Sequence, residues 1–76
     1  MNNSRRKRIN QSILSLTSAQ ERMQKALKEE KATLDRIPDD DEHEEMRDAI
    51  DEIISNLEDA ISSLSDALDT LEGADF

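Results

Sequence analysis

Leu34-Asp35-Arg36-Ile37-Pro38-Asp39-Asp40-Asp41-Glu42-His43-Glu44-Glu45-Met46 holds the single proline of this 76-residue chain, and it reads as a stop followed by a start. Proline lacks an amide donor and disfavours helical geometry at the residue before it, so a helix arriving from the N-terminal side ends near Ile37. Asp39 is then placed to cap a second helix, with Glu42 three residues on in capping-box spacing. Asp40, Asp41, Glu42, Glu44 and Glu45 crowd the first turns of that helix, where its dipole favours negative charge.

Apolar periodicity runs outward from this turn on both sides. Ile9, Ile13, Leu16, Gln20, Met23, Leu27, Glu30, Leu34 and Ile37 step by fours and threes, and so do His43, Met46, Ile50, Ile53, Leu57, Ala60, Leu64, Ala67 and Leu71. That step keeps one stripe of a helix facing a partner helix. The stripes mirror each other about residue numbers that sum to 80, pairing Leu34 with Met46, Leu27 with Ile53, Leu16 with Leu64 and Ile9 with Leu71. The expectation is one all-α domain over residues 1–76, an antiparallel, coiled-coil-like two-helix hairpin. Helix 1 spans about 4–37 with Ser4 as its cap, or Asn2 or Asn3 in its place, the turn 38–40, and helix 2 about 40–72 with Gly73 as a left-handed C-terminal cap.

Charge divides at the turn. Residues 1–38 carry nine Lys or Arg against four acids, a balance of +5, and residues 39–76 carry Arg47 against fifteen acids, −14, which together make the net −9. A basic helix beside an acidic one supports the hairpin, although exposed pairs contribute only a few tenths of a kcal/mol to about 1 kcal/mol each. Arg5, Arg6, Lys7 and Arg8 stand at a helix N-terminus, the unfavourable end for cations, and are expected to offset Asp66, Asp69, Glu72 and Asp75 at the end of helix 2.

The two edges of the expected seam differ. Asn10, Thr17, Gln24 and Lys31 face Thr70, Ser63, Asn56 and Ala49, a polar edge. On the other, Ala19 and Ala26 are too small to cover Ile54, Ile61 and Leu68. Burial of each Leu or Ile side chain stabilises by roughly 1.5–3 kcal/mol, and an uncovered row of them marks an interface. Ala19, Ala26, Ile54, Ile61 and Leu68 are therefore expected to pack on another chain. A homodimer forming a four-helix bundle is the simplest result, because two helices alone enclose little core.

No catalytic constellation is visible: no cysteine, no supported Ser-His-acid set, no glycine-rich phosphate loop. The chain is expected not to be an enzyme and to need no cofactor. Asp40-x-x-His43 has the residues of a metal site, but it holds the one histidine and lies at the turn, so no metal is expected. Glu30 and Gln20 interrupt the seam and are read as setting register. Arg5 to Arg8 are a candidate anion-binding cluster, but nucleic acid is not favoured as a partner, since nothing is present to stack on or read bases. No apolar run approaches the length of a membrane span, the basic start precedes no continuous apolar region, and the absence of cysteine suits the cytoplasm.

The pattern Glu29-Glu30, Leu34-Asp35-Arg36-Ile37-Pro38, an acidic turn, then Ala49-Ile50, Leu57-Glu58-Asp59-Ala60-Ile61, Leu64, Ala67-Leu68 and Leu71 resembles small hypothetical proteins of Gram-positive bacteriophages and integrative mobile elements. The resemblance spans roughly residues 5–72. It implies a mobile-element context with no assigned role and carries over no functional residues. The functional expectation is a protein-interaction module, an accessory or inhibitor acting through the acidic outer face of helix 2. The alternatives are a nucleic-acid or nucleotide binder using the basic cluster, and a purely structural assembly protein.

Overall fold

The computed structural model describes residues 3–74. Helix α1 covers Asn3–Arg36 and helix α2 covers Glu44–Gly73, joined through a 3-10 turn at Asp41–His43. The helices pack against each other as a hairpin, a rod of 61 × 15 × 13 Å measured on Cα atoms. No strand occurs among the described residues.

Helix α1 already includes Asn3, the first described residue, so Ser4 lies inside the helix rather than capping it, and Asn2 lies outside the described residues. It stops at Arg36, with a tightened last bond from the Ile37 amide to the Leu34 carbonyl at 3.2 Å, as Pro38 requires. Asp40, not Asp39, caps the 3-10 turn that leads into α2. Its backbone is extended, and its side chain accepts the His43 amide at 3.1 Å. Helix α2 itself begins at Glu44, four residues later than expected, with His43 at its N-cap position and no side-chain cap bond, because the 3-10 turn takes up Asp41–His43. Gly73 is the last residue of α2 and has no positive φ, so the left-handed cap expected there does not form. The chain leaves the helix through Ala74, whose amide reaches the Leu71 carbonyl at 3.4 Å.

On α1 the expected stripe is the inward face: Ile9, Ile13, Leu16, Gln20, Met23, Leu27, Glu30, Leu34 and Ile37 are all half-buried. On α2 the inward face is the adjacent row. His43, Arg47, Ile50, Ile54, Leu57, Ile61, Leu64, Leu68 and Leu71, again by fours and threes, are half-buried or buried. Ile54 at 9% exposure and Leu68 at 6% are the two buried side chains among the described residues. Met46 and Ile53, expected in the seam opposite Leu34 and Leu27, are 55% and 45% exposed. The physical reason is bulk. Helix α2 carries two candidate rows on either side of Ile50, Leu57, Leu64 and Leu71. One offers Ile54, Ile61 and Leu68; the other offers Met46, Ile53, Ala60 and Ala67. Turning the bulkier row inward removes more apolar area from water, at roughly 25 cal/mol per Å². The small Ala19 and Ala26, both half-buried, leave room for it.

Gln20 and Thr17, half-buried along the seam, both find hydrogen-bond partners. Gln20 donates from Nε2 to the Ser65 hydroxyl at 3.1 Å across the seam. Thr17, Thr33 and Thr70 donate their hydroxyls to carbonyls four residues back at 2.9 Å, which satisfies them within their own helices.

Candidate interaction surfaces

Three surfaces carry the molecule's chemistry: the strapped turn, an apolar edge and the charged exterior. The turn is built around Asp40 and Arg47. Asp40 Oδ1 lies 2.6 Å from His43 Nδ1, so the ring places its proton on Nδ1 and donates to the carboxylate. This hydrogen bond is the main reason the Asp40 carboxyl titrates below its ordinary value; desolvation, the next largest effect, opposes it, and the charge of His43 and the amides of His43 and Glu42 add to the lowering. Arg47 reaches back across the turn. One guanidinium nitrogen donates to the Ile37 carbonyl at 2.7 Å and the Leu34 carbonyl at 3.5 Å, and Nε lies 3.8 Å from Asp39. The last carbonyls of a helix have no partner of their own, and a cation there also meets the negative end of the dipole. Arg47 thus closes α1 from α2. Spacing alone does not assign it this role. The available signal was its singularity, one cation among fifteen acids after residue 38.

Beside this strap an open concavity of about 350 Å³ is lined by Asp39, Asp40, Asp41, Glu44, Asp48 and Asp51, with Arg47 at its wall. Among the described residues no group of three or more His, Asp or Glu side chains is placed to hold a metal ion.

The apolar edge is located by the polar one. Lys31 pairs with Glu58 at 3.7 Å, and each lies four residues after an inward position, Leu27 and Ile54. The residues immediately before inward positions therefore form the opposite edge. On α1 these are Ser12, Ala19, Ala26 and Thr33. On α2 they are Met46, Ile53, Ala60 and Ala67. The interface expected at Ile54, Ile61 and Leu68 is corrected accordingly. Ile54 and Leu68 are consumed inside the hairpin and Ile61 is half-buried, while Met46 and Ile53 take their place on the outside beside Ala19 and Ala26. Near the open end a shallow groove lined by Arg8, Gln11, Ser12, Ser15 and Leu16 adjoins this edge. Leu14, 70% exposed, lies off it on α1.

The exterior of α2 is acidic. Glu44, Glu45, Asp48, Asp51, Glu52, Glu58, Asp59, Asp66, Asp69 and Glu72 are all exposed. Arg5, Arg6, Lys7 and Arg8 are exposed too, and Arg5 and Arg6 are each engaged in interactions within the chain. Asp75, one of their expected partners, lies outside the described residues. No helix is long and apolar enough to cross a membrane.

Comparison of the chain with protein-family models, with curated proteins and with solved structures finds no match. The functional reading therefore stands on the turn, the apolar edge and the charged exterior.

Proposed function

We propose that this protein is a non-enzymatic interaction module, a helical hairpin that dimerises through its apolar edge into a four-helix bundle and displays an acidic exterior. The observation that carries this reading is the exposure of Met46 and Ile53 on a hairpin that buries only two side chains among the described residues. The surface area supports it. The chain exposes 5889 Å², against about 4,700 Å² for a compact monomer of its 8.6 kDa. A face of the rod measures 61 × 15 Å, about 900 Å², close to the roughly 800 Å² per partner of a standard stable interface.

In this reading the ten exposed carboxylates of α2 form the outward surface of the bundle, where they keep it soluble and present negative charge to a basic protein partner. An accessory or inhibitor role within a mobile element, in the cytoplasm, extends the proposal along the resemblance to phage and integrative-element proteins. A nucleic-acid role for Arg5 to Arg8 is disfavoured by the net charge of −9 and by a single aromatic residue, Phe76.

The test is the solution mass from size-exclusion chromatography with light scattering at several micromolar concentrations. Twice 8.6 kDa is expected for the wild type, and Ile53→Glu should reduce it to the monomer while Leu14→Glu leaves it unchanged. A wild-type monomer at every concentration would sink the proposal.

A further inference from the structure

Resting on the proposed self-association, we infer that the second copy docks head to tail, so that each turn lies beside the other copy's open end. The first argument is size. Along the apolar edge of α2 the side chains run Met46, Ile53, Ala60, Ala67, from bulky at the turn to small at the open end. A twofold axis perpendicular to the rod sets this row against its own reverse: Met46 over Ala67 and Ile53 over Ala60, each pair occurring twice, as an isologous interface requires. Both exposed side chains then enter space left by an alanine. With the turns at the same end, Met46 and Ile53 would crowd their own counterparts while the alanines faced each other across a gap, and interiors do not tolerate such voids.

The second argument is charge, and it is independent of the first. Residues 39–51 carry eight acids and one base, Arg47, so the turn end holds a balance of −7. Hairpins docked with turns together would place two such ends side by side. Head-to-tail docking instead sets each acidic turn level with an open end where Arg5, Arg6, Lys7 and Arg8 stand against Asp66, Asp69 and Glu72, an end close to neutral. Arg8, on the groove that adjoins the apolar edge, is the cation best placed to meet it. The repulsion between two −7 ends is thereby avoided by the arrangement that also fits the side chains.

Intermolecular distance between turns decides the question. The chain has no cysteine, so Asp41→Cys gives a single site for a nitroxide label on an exposed residue of the turn that leaves the Asp40 cap in place. In the head-to-tail dimer Asp41 lies level with Glu72 of the second copy. The two labels are then some thirty-one residues apart along α2, ~45 Å at ~1.5 Å per residue. With turns together they are within ~20 Å, two helix-packing distances. Pulsed dipolar spectroscopy on the labelled protein, with its mass measured by light scattering and its helicity by circular dichroism, is expected to give a dimer with a distance near ~45 Å. A dimer with the short distance overturns the orientation and leaves self-association standing. A folded monomer, or an assembly larger than two, overturns the head-to-tail dimer itself, and the monomer overturns the self-association reading with it.

Discussion

Asp40 and Arg47 do at the turn what no apolar residue can. The carboxylate of Asp40 serves the amide and the ring of His43 together, and the resulting downward pull on its titration has a definite consequence for stability. A carboxyl with a lowered folded value contributes stability above its ordinary value of 3.8, and that contribution is lost as pH falls through the lower, folded value. The chain carries eighteen other acids, so the measurement must be a difference. Thermal melts of wild type and Asp40→Ala, compared from about pH 5 down to about pH 2, should show the gap in midpoint narrowing as the solution becomes more acid. A gap that stays constant would mean that the carboxylate's charge has no part in the cap. Arg47 offers a larger effect. Arg47→Ala removes donors from two carbonyls at the end of α1 and should lower unfolding free energy by about 1–2 kcal/mol, read by urea titration. Arg47→Lys should recover only part, since a single ammonium cannot serve the carbonyls and also place a second nitrogen, as Nε is placed, beside Asp39.

At the scale of the elements, the stripe of α1 and the position of the chain reversal were legible in the sequence, because apolar spacing and proline act locally. The choice between the two rows of α2 was not. Both rows share Ile50, Leu57, Leu64 and Leu71, both step by fours and threes, and a mirror rule on residue numbers cannot weigh an isoleucine against an alanine. The decision rests on how much area each row buries against Ala19 and Ala26, a comparison that spacing does not contain. The cross-seam partners that do form, Gln20 with Ser65 and Lys31 with Glu58, sum to more than 80. Side chains lean toward the N-terminus of their own helix, so in an antiparallel pair each reaches a partner further along than the one level with it. The apolar edge was half legible for the same reason: Ala19 and Ala26 flank the seam as expected, but the exposed aliphatic residues on that edge are Met46 and Ile53 rather than Ile54, Ile61 and Leu68. Alanine substitutions discriminate the rows directly. Ile54→Ala and Leu68→Ala should each lower unfolding free energy by about 2–4 kcal/mol, while Met46→Ala at protein concentrations below association should change it by less than about 1 kcal/mol. The reverse ranking would restore the row that spacing favours. At the far end of α2, Gly73 is helical with open space where a Cβ would project, so Gly73→Ala should raise stability by about 0.5 kcal/mol in the same titration.

As a whole molecule the hairpin is long relative to its core, and its stability is tied to concentration if a second copy supplies the missing cover. Where association adds to the stability of a folded hairpin, the melting midpoint rises with protein concentration. Circular dichroism melts spanning about two decades of concentration should show this rise in the wild type and a flat midpoint in Ile53→Glu. A wild-type midpoint independent of concentration would place all of the stability within one chain.

The strap at the turn has a consequence for the phase of α2. Arg47 stands at the head of the buried row, seven residues ahead of Ile54, with Ile61 and Leu68 at the same interval beyond it. Exchanging this row for Met46, Ile53, Ala60 and Ala67 amounts to a roll of α2 about its own axis by roughly 50°. That roll would swing the guanidinium off the Leu34 and Ile37 carbonyls and strip α1 of its closing hydrogen bonds. One side chain therefore works both as the cap of the first helix and as the detent that holds the second helix at its angle.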